Sequence, residues 1–285
     1  AESREGILDF HSPEEFIHDL FMQSLWGYHP LSRSIIGSPQ NTAATTRNSL
    51  LDYFSGRFIA ADIIIAAAGN VKFKDIMKHC GKYFRRSRRN YRRAEISAPA
   101  PFGKPVIEKR KLEQVHICLG SAGLPYNDDK RYALMLFNDA LGGSISSRLF
   151  QEIREKKGLV YSIYSYYESF YDVGMFAVQA AAGPEKYKEV IKLVRLEFEK
   201  LREKPIPADE LGRIKKQLKA GFLIGLENTT NRMMRLAKQK IYIGKTYGID
   251  ETIRKIDAVT AKDMQKVARL LLDEKKLALT VLGPV

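Results

Sequence analysis

The stretch richest in chemistry runs from Leu141 to Ile163 and reads LGGSISSRLFQEIREKKGLVYSI. Gly142 and Gly143 precede a serine-rich helix start, a pattern that bares backbone amides with little steric cover and lets a peptide or an anion approach closely. Glycine pairs at helix junctions also serve turns and tight packing, so the pair alone does not define a site. Metal chemistry has less to work with. The five histidines are His11, His18, His29, His79 and His116, and no two of them stand in the H-x-x-E-H spacing that holds zinc on one helix face beside a glutamate base. The nearest approach, His11-Ser12-Pro13-Glu14-Glu15, lacks the second histidine, and His11 and His18 read as ordinary surface or interface residues. Cys80 and Cys118 are the only cysteines; they form no chelating or disulfide spacing, and their scarcity favours a reducing compartment. Gly221-Phe222-Leu223-Ile224-Gly225 lacks the Gly-Lys-Ser/Thr ending of a phosphate loop.

Charge and composition narrow the classes further. With 285 residues, 45% of them hydrophobic and 28% charged, the chain is globular, long enough for about two domains. The net charge of +14 favours acidic partners, and six arginines fall between Arg85 and Arg93 with Tyr91 among them. That cluster could neutralise phosphates beside a stacking ring. The reading preferred here is a solvated helix end entering a stiff linker, because Ala98-Pro99-Ala100-Pro101-Phe102-Gly103-Lys104-Pro105 follows directly. Nucleic acid is therefore not the expected partner. The longest strongly apolar run, Ile63 to Ala68, is far short of the roughly 20 residues of a membrane helix, so no membrane span is expected; Ala1 to Glu5 carry no signal-peptide order, and localisation stays open.

The elements that must position these residues follow from periodicity and caps. Helices are expected at Pro13 to Leu25, Thr46 to Phe54, Phe73 to Arg86, Asp128 to Leu141, Ser147 to Lys156, Pro184 to Arg202, Ala208 to Glu227, Thr230 to Tyr242 and Thr260 to Leu271. Strands are expected at Ile63 to Ala68, Val115 to Leu119 and Leu277 to Leu282, with a hairpin of Val160 to Glu168 and Val173 to Ala181. Helices and strands mix without regular alternation, which makes the fold class α+β.

One segment of the chain echoes another. Thr46 to Val71 lies over Thr260 to Val285 without a gap, placing Leu50 on Met264, Tyr53 on Val267, Ile63 on Leu277, Ile65 on Leu279 and Gly69 on Gly283. Each copy offers a Thr-started amphipathic helix, a turn and a buried strand ended by glycine. The copy ending at Val285 reaches back to about Lys109, whereas the copy containing Val71 starts at Ala1, so the chain resembles one and a half copies of a domain. The expected division is 1–97 for the C-terminal half of a first domain, 98–108 for a Pro-rich linker and 109–285 for a complete second domain.

The Leu141 to Ile163 segment is similar to the second-domain signature of the pitrilysin/insulinase family of zinc metallopeptidases, in particular its processing-peptidase branch. Pro30-Leu31-Ser32-Arg33-Ser34-Ile35-Ile36-Gly37 resembles a loop late in the family's first domain, with Ser32 where that loop usually has glycine. Tyr83-Phe84, the Pro-rich linker and Leu282-Gly283-Pro284 fit as well, so the resemblance extends over essentially the whole chain. It implies two homologous α/β sandwich domains clasping a peptide-binding chamber, the first of them incomplete here. It implies that Arg154 and Tyr161, seven residues apart, reach toward a bound peptide; Gly142 and Gly143, with their bare amides, join them as candidate peptide-binding residues. A guanidinium and a phenol both donate to a peptide carbonyl and help most where negative charge develops. The family's H-x-x-E-H is missing from this sequence; the downstream glutamate ligand would fall on Glu5, in a local sequence of poor likeness.

The resemblance thus implies zinc in the intact protein, not held by this chain alone, and a peptide substrate. Two explanations of the missing motif stand. The chain is the C-terminal part of a zinc endopeptidase, inactive alone, or it is a non-catalytic partner or scaffold subunit of a two-chain peptidase. Either way it should associate with a missing N-terminal half, a catalytic partner subunit or, as a homodimer, with itself.

Overall fold

A computed structural model describes residues 12–58, 63–84, 97–101 and 103–285. Glu5, His11 and the Arg85 to Arg93 run lie outside the described residues. The structure is mixed α and β, in two compact units: one takes the chain up to Ile35, Ala98–Lys219 and Ile249–Val285, the other Ile36–Ser97 and Ala220–Gly248.

The first unit is built on a five-stranded sheet. Its strands are β1 (Val106–Lys109), β2 (Val115–Gly123), β3 (Val160–Ser169), β4 (Gly174–Ala182) and β5 (Ala278–Gly283), in the order β1-β5-β2-β4-β3. β2 pairs antiparallel with β4 and β5, β3 pairs antiparallel with β4, and β1 runs parallel to β5. β1 lies partly within the expected linker: Pro105 precedes it and costs no ladder bond at an edge. Its parallel partner is 174 residues away at Val106↔Thr280, so no local signal announces it.

Alternation splits the sheet into two faces. Ile117, Leu119, Phe176, Val178, Ile163 and Val281 point to one side and form the main core. Above them pack α5 (Arg131–Leu141), α6 (Tyr187–Glu203), α9 (Ile249–Ala258) and α10 (Ala261–Leu271), through side chains such as Phe137, Phe198, Ile256 and Val267. The other face is covered by α1 (Pro13–Trp26), whose Ile17, Leu20, Phe21, Leu25 and Trp26 meet Met175, Ala177, Ala278 and Leu282. α7 (Ala208–Gly225) contributes Ile214 to the main core. Asp128 folds back to accept the Lys130 amide at 2.7 Å, turning the chain into α5.

The second unit holds α2 (Pro39–Ala44), α3 (Arg47–Arg57), α4 (Phe73–Tyr83), the end of α7 and α8 (Thr229–Ile243). Here the apolar run Ile63 to Ala68, expected as a buried strand, forms no strand, and Ile64 and Ile65 are 45% and 47% exposed. The reason is tertiary: a β ladder needs a neighbour for its amides and carbonyls, and among the described residues of this unit there is no strand to pair with. α3 and α4 bury no residue; Leu50, Tyr53, Phe54, Phe58, Phe73 and Tyr83 are all at least 59% exposed. The expected helix to Arg86 ends at Tyr83.

The internal repeat survives wherever local forces dictate it. Thr46 and Thr260 both cap their helices through a reciprocal box, with Ser49 and Asp263 as the returning side chains. The two helices, α3 and α10, span positions matched residue for residue, and Gly69 and Gly283 both take positive φ, 129° and 143°. Two things differ among the described residues: only β5 finds strand partners, and α10 buries Met264, Val267, Ala268 and Leu271 while α3 buries none. Among the described residues no helix is long and apolar enough to cross a membrane.

Candidate functional site

The signature segment folds as one connected piece around the β3 end of the sheet. α5 stops at Leu141, and the amides of Gly142 and Gly143 both donate to the Asn138 carbonyl, at 3.0 and 2.8 Å. Gly142 then lies flat against β3: its carbonyl accepts the Ser165 amide at 3.1 Å, and a Cβ there would come within 2.5 Å of that amide nitrogen. Gly142 is glycine for space rather than for backbone angle. Gly143 faces Asp139, whose Oδ1 would meet a Cβ at 2.8 Å. The glycine amides are thus engaged within the chain.

Beyond them Arg148 clamps the segment to α7 by a two-pronged pair with Glu210, Nε to Oε1 at 2.9 Å and the terminal nitrogen to Oε2 at 2.7 Å. That hydrogen-bonded carboxylate holds the guanidinium above its ordinary pKa. The expected helix from Ser147 to Lys156 is π-helical over Phe150–Glu155, with the Lys156 amide reaching the Gln151 carbonyl at 3.0 Å. Single π turns widen a helix and recur at functional sites. Arg154 rides on this turn with its guanidinium 4.9 Å from the centre of the Phe150 ring. It is exposed, and among the described residues it has no carboxylate partner. Its backbone carbonyl accepts the Gly158 amide at 3.0 Å, and Gly158, at φ 59°, turns the chain into β3.

Tyr161 sits at an irregularity of the edge strand. Val160 faces Ala182 and Ser162 faces Ala181, so Tyr161 is the extra residue of a β-bulge. A bulge re-aims the side chain it carries and interrupts pairing; Tyr161 is 63% exposed. Arg154 and Tyr161 are therefore both exposed donors, one on a π turn and one on a bulge, joined by a six-residue run that Gly158 bends. The outer side of β3 carries no further strand among the described residues. Glu5 lies outside the described residues.

Two buried polar groups here had no sequence signal. Asn138 Oδ1 is buried with no hydrogen-bond partner, and Asp139 beside it is desolvated, which pushes its carboxyl up to about 6. Burial together with the Asp139 charge also pushes the Tyr167 hydroxyl up to about 12. Between about pH 4 and 6 the folded chain keeps a proton on Asp139 that the unfolded chain has released, so stability falls as pH rises through that window. Asp139→Asn is expected to raise the unfolding free energy at pH 7 by about 1 kcal/mol after allowance for solvent screening, and to change nothing below about pH 4. Urea midpoints at both pH values measure this; a loss of stability at pH 7 would mean that the carboxylate makes a favourable contact.

The described residues do not assemble a zinc site. His18 Nδ1 meets the Tyr166 hydroxyl at 2.5 Å, His29 Nδ1 accepts the Leu31 amide at 3.2 Å, and His116 is buried in β2. No group of three or more His, Cys, Asp or Glu side chains placed to hold a metal ion occurs among the described residues.

Comparison with known proteins places this geometry in a family. The chain is 34% identical over 285 residues to an "uncharacterized zinc protease" of Streptomyces coelicolor, covering 96% of this chain and 61% of that protein. It is 32% identical over 276 residues to the "uncharacterized zinc protease YmxG" of Bacillus subtilis, covering 96% and 66%. The chain thus spans less than two thirds of the length of these curated relatives. Its fold matches the crystal structure of a peptidase M16 inactive domain from Pseudomonas fluorescens with a TM-score of 0.89 at 22% identity, over 100% of this chain and 69% of that one. A protease from Helicobacter pylori matches with a TM-score of 0.81 at 21% identity, over 96% and 67%. The family model described as the peptidase M16 inactive domain matches residues 44–218. That match takes in more than half of the residues, the whole Gly142 to Tyr161 segment among them, and the chain belongs to this peptidase family.

Proposed function

We propose that this chain is the C-terminal, substrate-positioning part of a zinc-dependent endopeptidase of the processing-peptidase type. The observation that carries the reading is the presence of Arg154 on a π turn and Tyr161 on a β-bulge, both exposed and neither in an ion pair among the described residues, at the edge of the sheet that β3 forms. An extended peptide adds to such an edge through main-chain hydrogen bonds, which tolerates varied sequences. Arg154 and Tyr161 then donate to a carbonyl of the peptide, orient it and favour the charge that develops on its oxygen. Gly142 contributes the close approach that ties the signature segment to β3, and Gly143 packs against Asn138 and Asp139 at the end of α5.

Zinc, when bound in the intact protein, supplies an activated water; its ligands belong to sequence beyond the described residues. Relatives longer than this chain, named zinc proteases, support that reading. The exposed apolar side chains of α3 and α4, two helices that bury no residue of their own, suit coverage by the remaining half of a domain. The same surface would serve the second reading, a partner subunit that lends Arg154 and Tyr161 to a separate catalytic chain; a homodimer is a third use of it.

Purified chain supplied with zinc is expected to cleave no quenched fluorescent peptide, while the full-length gene product cleaves it and a chelator stops the cleavage. Zinc-dependent cleavage by the chain alone would sink the proposal. Inactivity of the full-length product until a second gene product is added would favour the subunit reading.

A further inference from the structure

The face of the first unit's sheet beneath α1 carries a row of polar side chains among its apolar contacts with that helix. Directly opposite one another across four strands stand Thr280, Cys118, Gln179 and Tyr164. His116 and Tyr166 lie one row away on either side. The opposite face, under α5, α6 and α10, is mainly aliphatic and aromatic, with Ser121 and Ser165 its small polar members. A packed sheet face is mostly apolar, so four polar or polarisable side chains in one row ask for a reason.

Its coverage by α1 is incomplete in hydrogen-bonding terms. His18 Nδ1 meets the Tyr166 hydroxyl at 2.5 Å, which lies 3.6 Å from Cys118 Sγ. The Tyr164 hydroxyl donates to Gln179 Oε1 at 2.5 Å, and Gln179 Nε2 donates to the Glu14 carbonyl at 3.4 Å. His116 Nδ1 and Thr280 Oγ1 are sealed in without any partner. Buried, unsatisfied polar atoms oppose the covered state, and water would satisfy them on opening. At its C-terminal end α1 finishes on Gly27, at φ 56° and ψ −119°, a joint that side chains other than glycine resist.

We infer that α1 is a releasable cover over this polar sheet face, jointed at Gly27 and loosened when His18 takes up a proton. Burial under the cover holds the His18 pKa below 6.5, against the opposing pull of Asp19, Gln179 and Glu15, and burial does the same to His116 against Glu14. Apart from His116, the groups on that sheet face do not titrate near neutrality: burial pushes the Cys118 thiol up to about 12 and raises Tyr164 and Tyr166. Glu168 acts on Tyr166 from β3, and Arg110 stacks 4.0 Å from the Phe16 ring of α1. Because the open form binds the proton more readily, the cover is fully held above pH 6.5 and loosens as pH falls below it.

Cys118 reports the opening, since it is buried beneath α1. In a Cys80→Ser variant it is the sole thiol, and dithiodipyridine, which reacts in mild acid, titrates its access. Each rate is divided by that of the urea-unfolded chain at the same pH, and global unfolding is followed by circular dichroism in parallel. Labelling is expected to outpace global unfolding at about pH 7.5, to rise several-fold by about pH 5.5, and to lose most of that rise in His18→Gln. Phe21→Ala, which weakens the grip of α1 without touching the histidines, should speed labelling at about pH 7.5. Labelling that merely tracks global unfolding, or that ignores pH in the native chain, overturns the inference.

Discussion

Arg154→Ala in the full-length peptidase is expected to lower kcat by about 10² to 10³-fold, the range seen when one donor to a developing oxyanion is removed. The melting temperature should not move, because Arg154 is exposed and, apart from stacking on Phe150, holds nothing together. Tyr161→Phe should fall in the same range: the ring that fills the bulge is kept and only the hydroxyl is lost. The split between constants is diagnostic. A donor used mainly in the transition state costs kcat and kcat/KM alike, whereas one that only holds the ground-state peptide raises KM. If the two residues act on one carbonyl, the double variant should be less impaired than the product of the single ones. Lys157→Ala is the matched control, an exposed cation three residues from Arg154; a loss there equal to that of Arg154→Ala would reduce the effect to general charge, and an unchanged kcat in both Arg154→Ala and Tyr161→Phe would remove the proposed role.

How much of this could be read in the sequence depends on how local the cause was. The capping boxes at Thr46 and Thr260 and the glycines at 69 and 283 are set by neighbouring residues, and they recur in both copies of the repeat. The strands β2, β3 and β4 lie within about a residue of the expected start, since their alternation answers to a core on one face. Expected helices at Ala208 and Thr230 likewise begin at Ala208 and Thr229. The Ile63 to Ala68 run had every local mark of a strand and lacks only a partner, which no window of sequence contains. α9 went unseen because its apolar side is narrow; Thr252 and Ile256 are its buried residues. At the candidate site the residue types were legible, but their presentation was not. Neither the π turn under Arg154 nor the bulge at Tyr161 has a sequence rule, and the Arg148–Glu210 clamp joins residues 62 apart.

Gly142→Ala is expected to destabilise the folded chain by about 2 to 4 kcal/mol, which makes the glycine pair a test of what the signature segment needs. The added Cβ would stand 2.5 Å from the Ser165 amide nitrogen and 2.8 Å from its Oγ. The obstacle is backbone of an edge strand, so it yields only if α5 and β3 separate. Overpacking of that kind costs about 1 to 3 kcal/mol, and the strained bond from the Ser165 amide to the Gly142 carbonyl adds about 1 kcal/mol. Gly143→Ala meets the side-chain ends of Asp139 and Asn138, which can turn aside, and the Asp139 Cα at 3.0 Å, which needs a shift of a few tenths of an ångström, so its cost should be about 1 kcal/mol. Gly158→Ala meets nothing within 4 Å but keeps φ at 59°, a left-handed conformation worth about 1 to 2 kcal/mol. Urea unfolding of the three variants therefore ranks them 142, then 158, then 143. Were the pair conserving bare amides for a ligand instead, Gly142→Ala and Gly143→Ala would unfold like the parent and differ from it only in KM. The engagement of both amides by Asn138 argues for the first outcome: the glycines let the segment close onto β3, and it is that closure which brings the π turn and the bulge to the same edge.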